Sequence, residues 1–290
     1  MAQAKLPLTG LKVVEFAGLA PGPFTGLILA DFGADVIRID KVGAGINPDT
    51  LSRGKRSVAV NPKSRSGLRT LRKLIAEADV LIEPFRPGVM EKLGCDYERL
   101  RARNPKLVYA ALTGYGQTGP YARRPGHDMN YRGYAGDLDQ NAAAGGAPVQ
   151  GNFQVADLAG GALTCAVGIL AAVLGARASG QGTFVDVGMM DGTLALQVAA
   201  LSARRTVGTT PRPGEDGLSG AVPNYALYET ADGRHLAVGS LEFKFFKRLL
   251  ELAGATDLLK LPLAPGAKGE PLRQALKALF KQRTRDEWEA

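Results

Sequence analysis

Within its first 115 residues the chain alternates short β-branched runs with helical patterns, and that alternation limits the fold more than any other feature. Residues 11–16 (LKVVEF) read as a strand, followed by a Gly/Pro turn and an apolar helix through Ala30. Further strands are expected at 35–39, 57–60, 79–82 and 107–112, with helices over 67–78 and 97–103. A crossover that contains a helix joins parallel strands, whereas a tight turn joins antiparallel ones. The expected fold class is therefore α/β: a Rossmann-like, mostly parallel sheet with helices on both faces.

From 113 to 156 the periodicity gives way to Gly, Pro, Asn and Tyr, and an irregular stretch of this length usually carries function or is mobile. An uncharged run follows at 158–176, long enough to meet the length criterion for a membrane span. It is built from Ala and Gly (Gly160, Gly161, Gly168 and Gly175 among them) and has no aromatic anchors, so a helix buried against the sheet, with no membrane partner, is expected. A strand at 183–187 and a helix from 191 to about 203 complete a large domain, 1–203. Residues 204–222, rich in Thr, Pro and Gly, read as a linker. A smaller α+β domain, 223–290, then holds a hairpin around Asp232-Gly233 and helices over 242–253 and 272–281.

The net charge of +8 would suit nucleic acid, but the basic residues are scattered and no nucleic-acid-binding signature accompanies them. A solvated basic surface accounts for most of them, and a compact anionic ligand needs only a few. No nucleic-acid partner is expected. Two cysteines, Cys95 and Cys165, exclude a disulfide framework, and the start, Met-Ala-Gln-Ala-Lys-Leu-Pro, has no apolar core segment. Both fit the reducing cytoplasm.

Several motifs fail on inspection. Gly114-Tyr-Gly-Gln-Thr-Gly119 is a literal G-x-G-x-x-G after a strand, but Pro120 follows and no apolar helical face begins there, against a dinucleotide site. Gly54-Lys55 lacks the glycine (Asp49 stands there) and the Ser/Thr (Arg56) of a phosphate loop. The candidates for ligand charge are Arg38, the cluster Arg53, Lys55 and Arg56, and Arg86. Arg38 and Arg86 fall at or just past strand carboxyl ends, where open α/β sheets bind ligands, and guanidinium suits phosphate.

Only two histidines exist. His235 falls in a hairpin strand and reads as structural. His127, in the irregular Pro125-Gly-His-Asp-Met-Asn-Tyr131, carries an imidazole, the side chain type suited to proton transfer near neutrality. Asp157 precedes the uncharged helix, where an aspartate is a natural N-cap. The helix terminus would lower its pKa and burial would raise it, so the sequence leaves its role open. Cys165 is expected to be packing.

Read together, LTGLKVVEFAGLAPGPF (8–24), LADFGADVIRID (29–40), ADVLIEPFRPGVMEKLG (78–94), the 114–120 turn, GTFVDVGMMDG (182–192) and YETADGRHLAVGSLE (228–242) resemble the family III CoA-transferases of the CaiB/BaiF superfamily. Within it, Gly126-His-Asp-Met-Asn-Tyr131 and Ala156-Asp-Leu-Ala-Gly-Gly161 are similar to the branch that racemises α-methylacyl-CoA thioesters. That resemblance implies His127 and Asp157 as an acid/base pair, with Glu242 supporting the histidine. It implies CoA contacts at Arg38, Ala59, Val60, Asn61, Arg86, Gly126 and Tyr131. It also implies an acyl-CoA substrate, an interlocked homodimer, and no metal or cofactor beyond the substrate's own CoA. Removing the proton beside a thioester and returning it to the opposite face needs two groups of suitable pKa around an enolate. Gly160, Gly161 and the loop glycines are candidates to present amides to the enolate oxygen.

The transferase branch instead uses the residue equivalent to Asp157 as a nucleophile that becomes an acyl anhydride, and generally lacks the Gly-His-Asp segment. Chains of the family usually continue beyond the segment resembling Thr284 to Trp288, whereas this one stops at Ala290. A shortened chain that binds CoA without turnover is therefore a third possibility.

Overall fold

A computed structural model describes residues 5–43 and 50–290 of the chain. Asp49 and the opening Met-Ala-Gln-Ala lie outside the described residues. Packing divides the chain into two compact units, one running to Leu138 and resuming over Gln150–Gln197, the other comprising Asp139–Val149 and Val198–Ala290. The division falls earlier than the expected 203/204 boundary and moves part of the irregular stretch into the second unit.

The first unit contains six parallel strands: β1 (Lys12–Phe16), β2 (Asp35–Asp40), β3 (Arg56–Ala59), β4 (Val80–Glu83), β5 (Val108–Thr113) and β6 (Phe184–Gly188). Their order is β3-β2-β1-β4-β5-β6. Both faces of such a sheet are covered, so its strands read as near-continuous apolar runs rather than alternating ones. β4 and β5 are buried along their whole length. Alternate residues then serve opposite faces. Val13, Val80, Ile82, Val108, Ala110 and Leu112 share one core, and Val14, Leu81, Tyr109 and Ala111 the other.

The covering helices are α1 (Pro21–Asp31), α2 (Arg65–Ala76), α3 (Val89–Leu93), α4 (Tyr97–Arg101) and α5 (Asp128–Ala135). Short α6 (Asp137–Gln140), α7 (Thr164–Ser179) and α8 (Met189–Leu196) follow. α2 shows why such helices form where they do. The Ser64 hydroxyl accepts the Gly67 amide at 3.0 Å, capping the start, and Leu71 and Ile75, four residues apart, share the buried face. Each such buried side chain is worth about 1.5–3 kcal/mol. α7 is entered through a π-helical segment, Val155–Leu163, and buries Cys165, Ala166, Ile169, Val173 and Ala176. Cys165 is packing, as expected. The continuous helix Val155–Ser179 is long and apolar enough to cross a membrane by length and composition, and part of it is buried inside the unit.

α5 was not expected: its Asn, Arg and Gly residues give no apolar stripe, and its start is held by bonds between His127 and Asn130. The single helix expected over 191–203 is broken at Gln197 into α8 and α9 (Val198–Val207), so helix extends into the expected linker. The second unit adds the antiparallel hairpin β7 (Tyr225–Glu229) and β8 (His235–Gly239), turning at Gly233 with φ 75°. Its helices α10 (Phe243–Leu252), α11 (Glu270–Phe280) and α12 (Arg285–Glu289) follow. Tyr228, Phe246, Leu250, Leu272, Leu276 and Phe280 form its own core.

Candidate active site

In a doubly wound sheet the order reverses between β1 and β4, and the loops at those carboxyl ends splay apart to leave a crevice. A cavity of about 360 Å³ lies there in the first unit. It is bounded by Gly18, Leu19 and Pro21 after β1, the 84–87 turn after β4, Gly114 and Tyr115 after β5, and His127, Tyr131, Asp157 and Met189. His127 and Asp157, thirty residues apart in the chain, thus open into one cleft.

Each is held by backbone. His127 is the N-cap of α5: its amide donates to Asn130 Oδ1 at 3.0 Å and its carbonyl accepts the Asn130 amide at 2.8 Å. Asp157 sits inside the first turn of the π-helical segment and is not its cap. The capping carboxylate is Asp128, whose Oδ1 accepts the amides of Ala156 at 2.7 Å and Asp157 at 3.1 Å. Asp128 directly follows His127, so one residue couples the histidine loop to the aspartate helix. Behind it Arg132, 3% exposed, lies 3.8 Å from Asp128 and 2.5 Å from Asp137. The sequence offered no signal for this: the motif contained Asp128, but nothing local aims its carboxylate at residue 156.

The opposing influences on Asp157 resolve upward. Burial, reinforced by the neighbouring Asp128 charge and opposed by His127, pushes its pKa from 3.8 to about 6. Such a carboxyl exchanges protons near neutral pH.

Tyr131 closes the cleft from below. Its hydroxyl donates to the Gly126 carbonyl at 2.5 Å, and its ring makes an edge contact with Tyr115 at 5.1 Å. A Cβ at Gly114 would stand 2.3 Å from that ring, so glycine is required there. The G-x-G-x-x-G segment is therefore a close-approach turn. Gly160 and Gly161 have a packing use too: a Cβ at Gly160 would meet Thr193 of α8 at 2.4 Å.

A second cavity, about 530 Å³, opens beyond β1, β2 and β3 and is lined by Asp40, Lys41, Val60, Asn61, Lys63 and Phe85 among others. Val60 and Asn61 were expected at a ligand, and Lys41 and Lys63 were not. Phe85 borders both cavities, edge-on to Phe16 at 5.2 Å. Ala59 ends β3 beside this cavity, and Arg86 lines the cleft with His127. Arg38 borders neither cavity: its guanidinium bonds Asp40 at 3.1 Å and the Ser52 hydroxyl. The basic cluster does not converge on a ligand either, since Arg53 pairs with Asp31, Lys55 with Glu15 and Arg56 with Asp35.

Glu242 belongs to the second unit, where it is the exposed N-cap of α10 and its carbonyl accepts the Phe245 amide at 2.9 Å. His235 is exposed on β8. A third cavity, about 1150 Å³, lies within this unit. Its walls are mostly Ala, Gly and hairpin residues, and Glu270 and Arg273 there face each other at 3.6 Å.

The model of CoA-transferase family III matches residues 8–290. The chain belongs to that family. Mouse α-methylacyl-CoA racemase is 41% identical over 97% of this chain and 74% of its own length. An Agrobacterium fabrum succinate–glutarate CoA-transferase is 35% identical over 88% of this chain and 68% of its own. The crystal structure of a CaiB/BaiF family protein from Brucella suis superposes with a TM-score of 0.83 at 30% identity, covering 98% of this chain and 80% of that one. The family III fold of this chain thus has relatives named for two chemistries, racemisation and CoA transfer.

Proposed function

We propose that this family III chain racemises 2-methylacyl-CoA thioesters by two-base proton transfer. The observation that carries the reading is that His127 and Asp157 line one acyl-sized cleft, with the carboxyl shifted to about 6. An imidazole and a carboxyl lining one cleft can exchange donor and acceptor roles with substrate handedness, as a reversible racemisation requires. One takes the α-proton, the thioester passes to an enolate, and the other returns a proton to carbon. The second cavity suits the nucleotide of CoA, with Val60 and Asn61 against it and Lys41 and Lys63 supplying charge for phosphate. Arg86, Gly126 and Tyr131 would meet the thioester end, Ala59 the nucleotide end, and Arg38 would act through Asp40. Glu242 is proposed to support His127. Beyond the substrate's CoA the reaction needs no cofactor.

We further propose a cytoplasmic homodimer without membrane or nucleic-acid partners. Leu163, Val167 and Leu174 are exposed apolar residues on the Val155–Ser179 helix, and a second copy would cover them.

The test is one enantiomer of a 2-methylacyl-CoA in deuterated water. The reading expects inversion together with α-deuterium; loss of both, with an acyl adduct trapped on Asp157 by hydroxylamine, would instead identify CoA transfer.

A further inference from the structure

Glu83 is an acid in a place where an acid is costly. It is the last residue of β4, 4% exposed, and burial pushes its carboxyl up to about 7. Such a group persists when its hydrogen bonds do something an apolar side chain would not. Its Oε2 accepts the Phe85 amide at 2.8 Å, and its Oε1 faces the Tyr109 hydroxyl at 3.4 Å. Tyr109 is 2% exposed and fixed in the core against Phe184, with ring centroids 5.3 Å apart. Glu83 therefore ties the first residues of the 84–88 turn to the rigid interior of the sheet. Phe85 is the wall between the two cavities, and Arg86, the next residue, lines the cleft that holds His127 and Asp157.

We infer that Glu83 is a positioning residue which, by gripping the Phe85 amide, sets the Phe85–Arg86 wall and thereby how tightly CoA is held across it. The inference rests on the proposed acyl-CoA function and adds a residue to it. Because Glu83 touches neither proton carrier, it governs binding and not the proton-transfer step.

The test compares Glu83→Gln, Glu83→Asp and Glu83→Ala by calorimetric titration with free CoA and by KM and kcat for a 2-methylacyl-CoA. Gln keeps an acceptor at the right reach; Asp keeps the charge one methylene short; Ala keeps neither. Asp and Ala should weaken CoA binding and raise KM about tenfold with kcat within about threefold, the size expected for one buried hydrogen bond. Gln should restore both parameters to near those of the unmodified chain. If Ala fails to fold, the Gln and Asp pair decides alone. CoA binding unchanged in Asp, or as weak in Gln as in Asp, would overturn the inference while leaving the racemase reading intact. An unmodified chain that binds no CoA would overturn the reading itself, and the inference with it.

Discussion

Replacing Asp128 separates two things one carboxylate does. Its Oδ1 accepts two helix-start amides, at 2.7 and 3.1 Å, and its charge sits beside both Asp157 and the buried Arg132. Asp128→Ala removes acceptor and charge together. Losing a helix cap costs about 0.5–2 kcal/mol, and leaving a second buried donor unmet about 1–3. Arg132 keeps Asp137, so the full penalty of an unpaired buried cation does not apply. A loss of about 2–4 kcal/mol in unfolding free energy is expected. Asp128→Asn can turn its amide oxygen to the same donors and should cost about 1 kcal/mol. In activity Asn has the more telling effect. The Asp128 charge helps hold the Asp157 pKa near 6, but burial is the larger cause, so Asn should lower it only part of the way to its ordinary 3.8. Denaturant unfolding of both variants, with the pH–rate profile of α-deuterium uptake, checks this. An acid limb that stays put or moves upward in Asn, or an Ala variant as stable as the parent, would refute the coupling.

His127→Ala should slow racemisation at least ~100-fold while CoA binding measured by titration persists. Gly192→Ala would put a Cβ 1.9 Å from the Gly160 carbonyl oxygen and should cost about 1–3 kcal/mol, read from the thermal midpoint. Glu83, with its pKa raised from 4.5 to about 7, binds its proton more tightly when folded, so stability should fall as pH rises through that window, by up to about 3 kcal/mol. Glu15, raised likewise by burial, has the same sign, so unfolding of Glu83→Gln across pH should show a shallower but surviving slope. Val167→Glu should convert the proposed dimer to monomer, seen by sedimentation; an unchanged dimer would place the contact elsewhere.

The sheet was legible because its strands declare themselves locally: LKVVEF, DVIRID and LVYAAL are short β-branched or apolar runs, and LVYAAL is apolar on both faces, as a central parallel strand must be. The candidate site was legible as residue types, His127 and Asp157, and the structure brings both to the β1/β4 crevice. What the sequence hid was long-range. α5 has no periodic apolar face, and His127 opens it while Asp128 reaches over to cap residues 156 and 157. The Arg53, Lys55 and Arg56 cluster looked like a phosphate site because charge is visible in sequence, whereas the acids that neutralise it stand 20 to 40 positions away. Glu83 hid for the converse reason, since an acid ending a strand reads as solvent-facing until its neighbours bury it.

In the proposed racemisation an imidazole and a carboxyl each serve one face of the same α-carbon. The most direct measurement is α-proton washout into deuterated water from separate R and S substrates with His127→Ala and Asp157→Ala. Each variant should exchange one enantiomer without inverting it, and the two should choose opposite enantiomers. Washout of the same enantiomer by both variants, or undiminished inversion in either, would contradict the account.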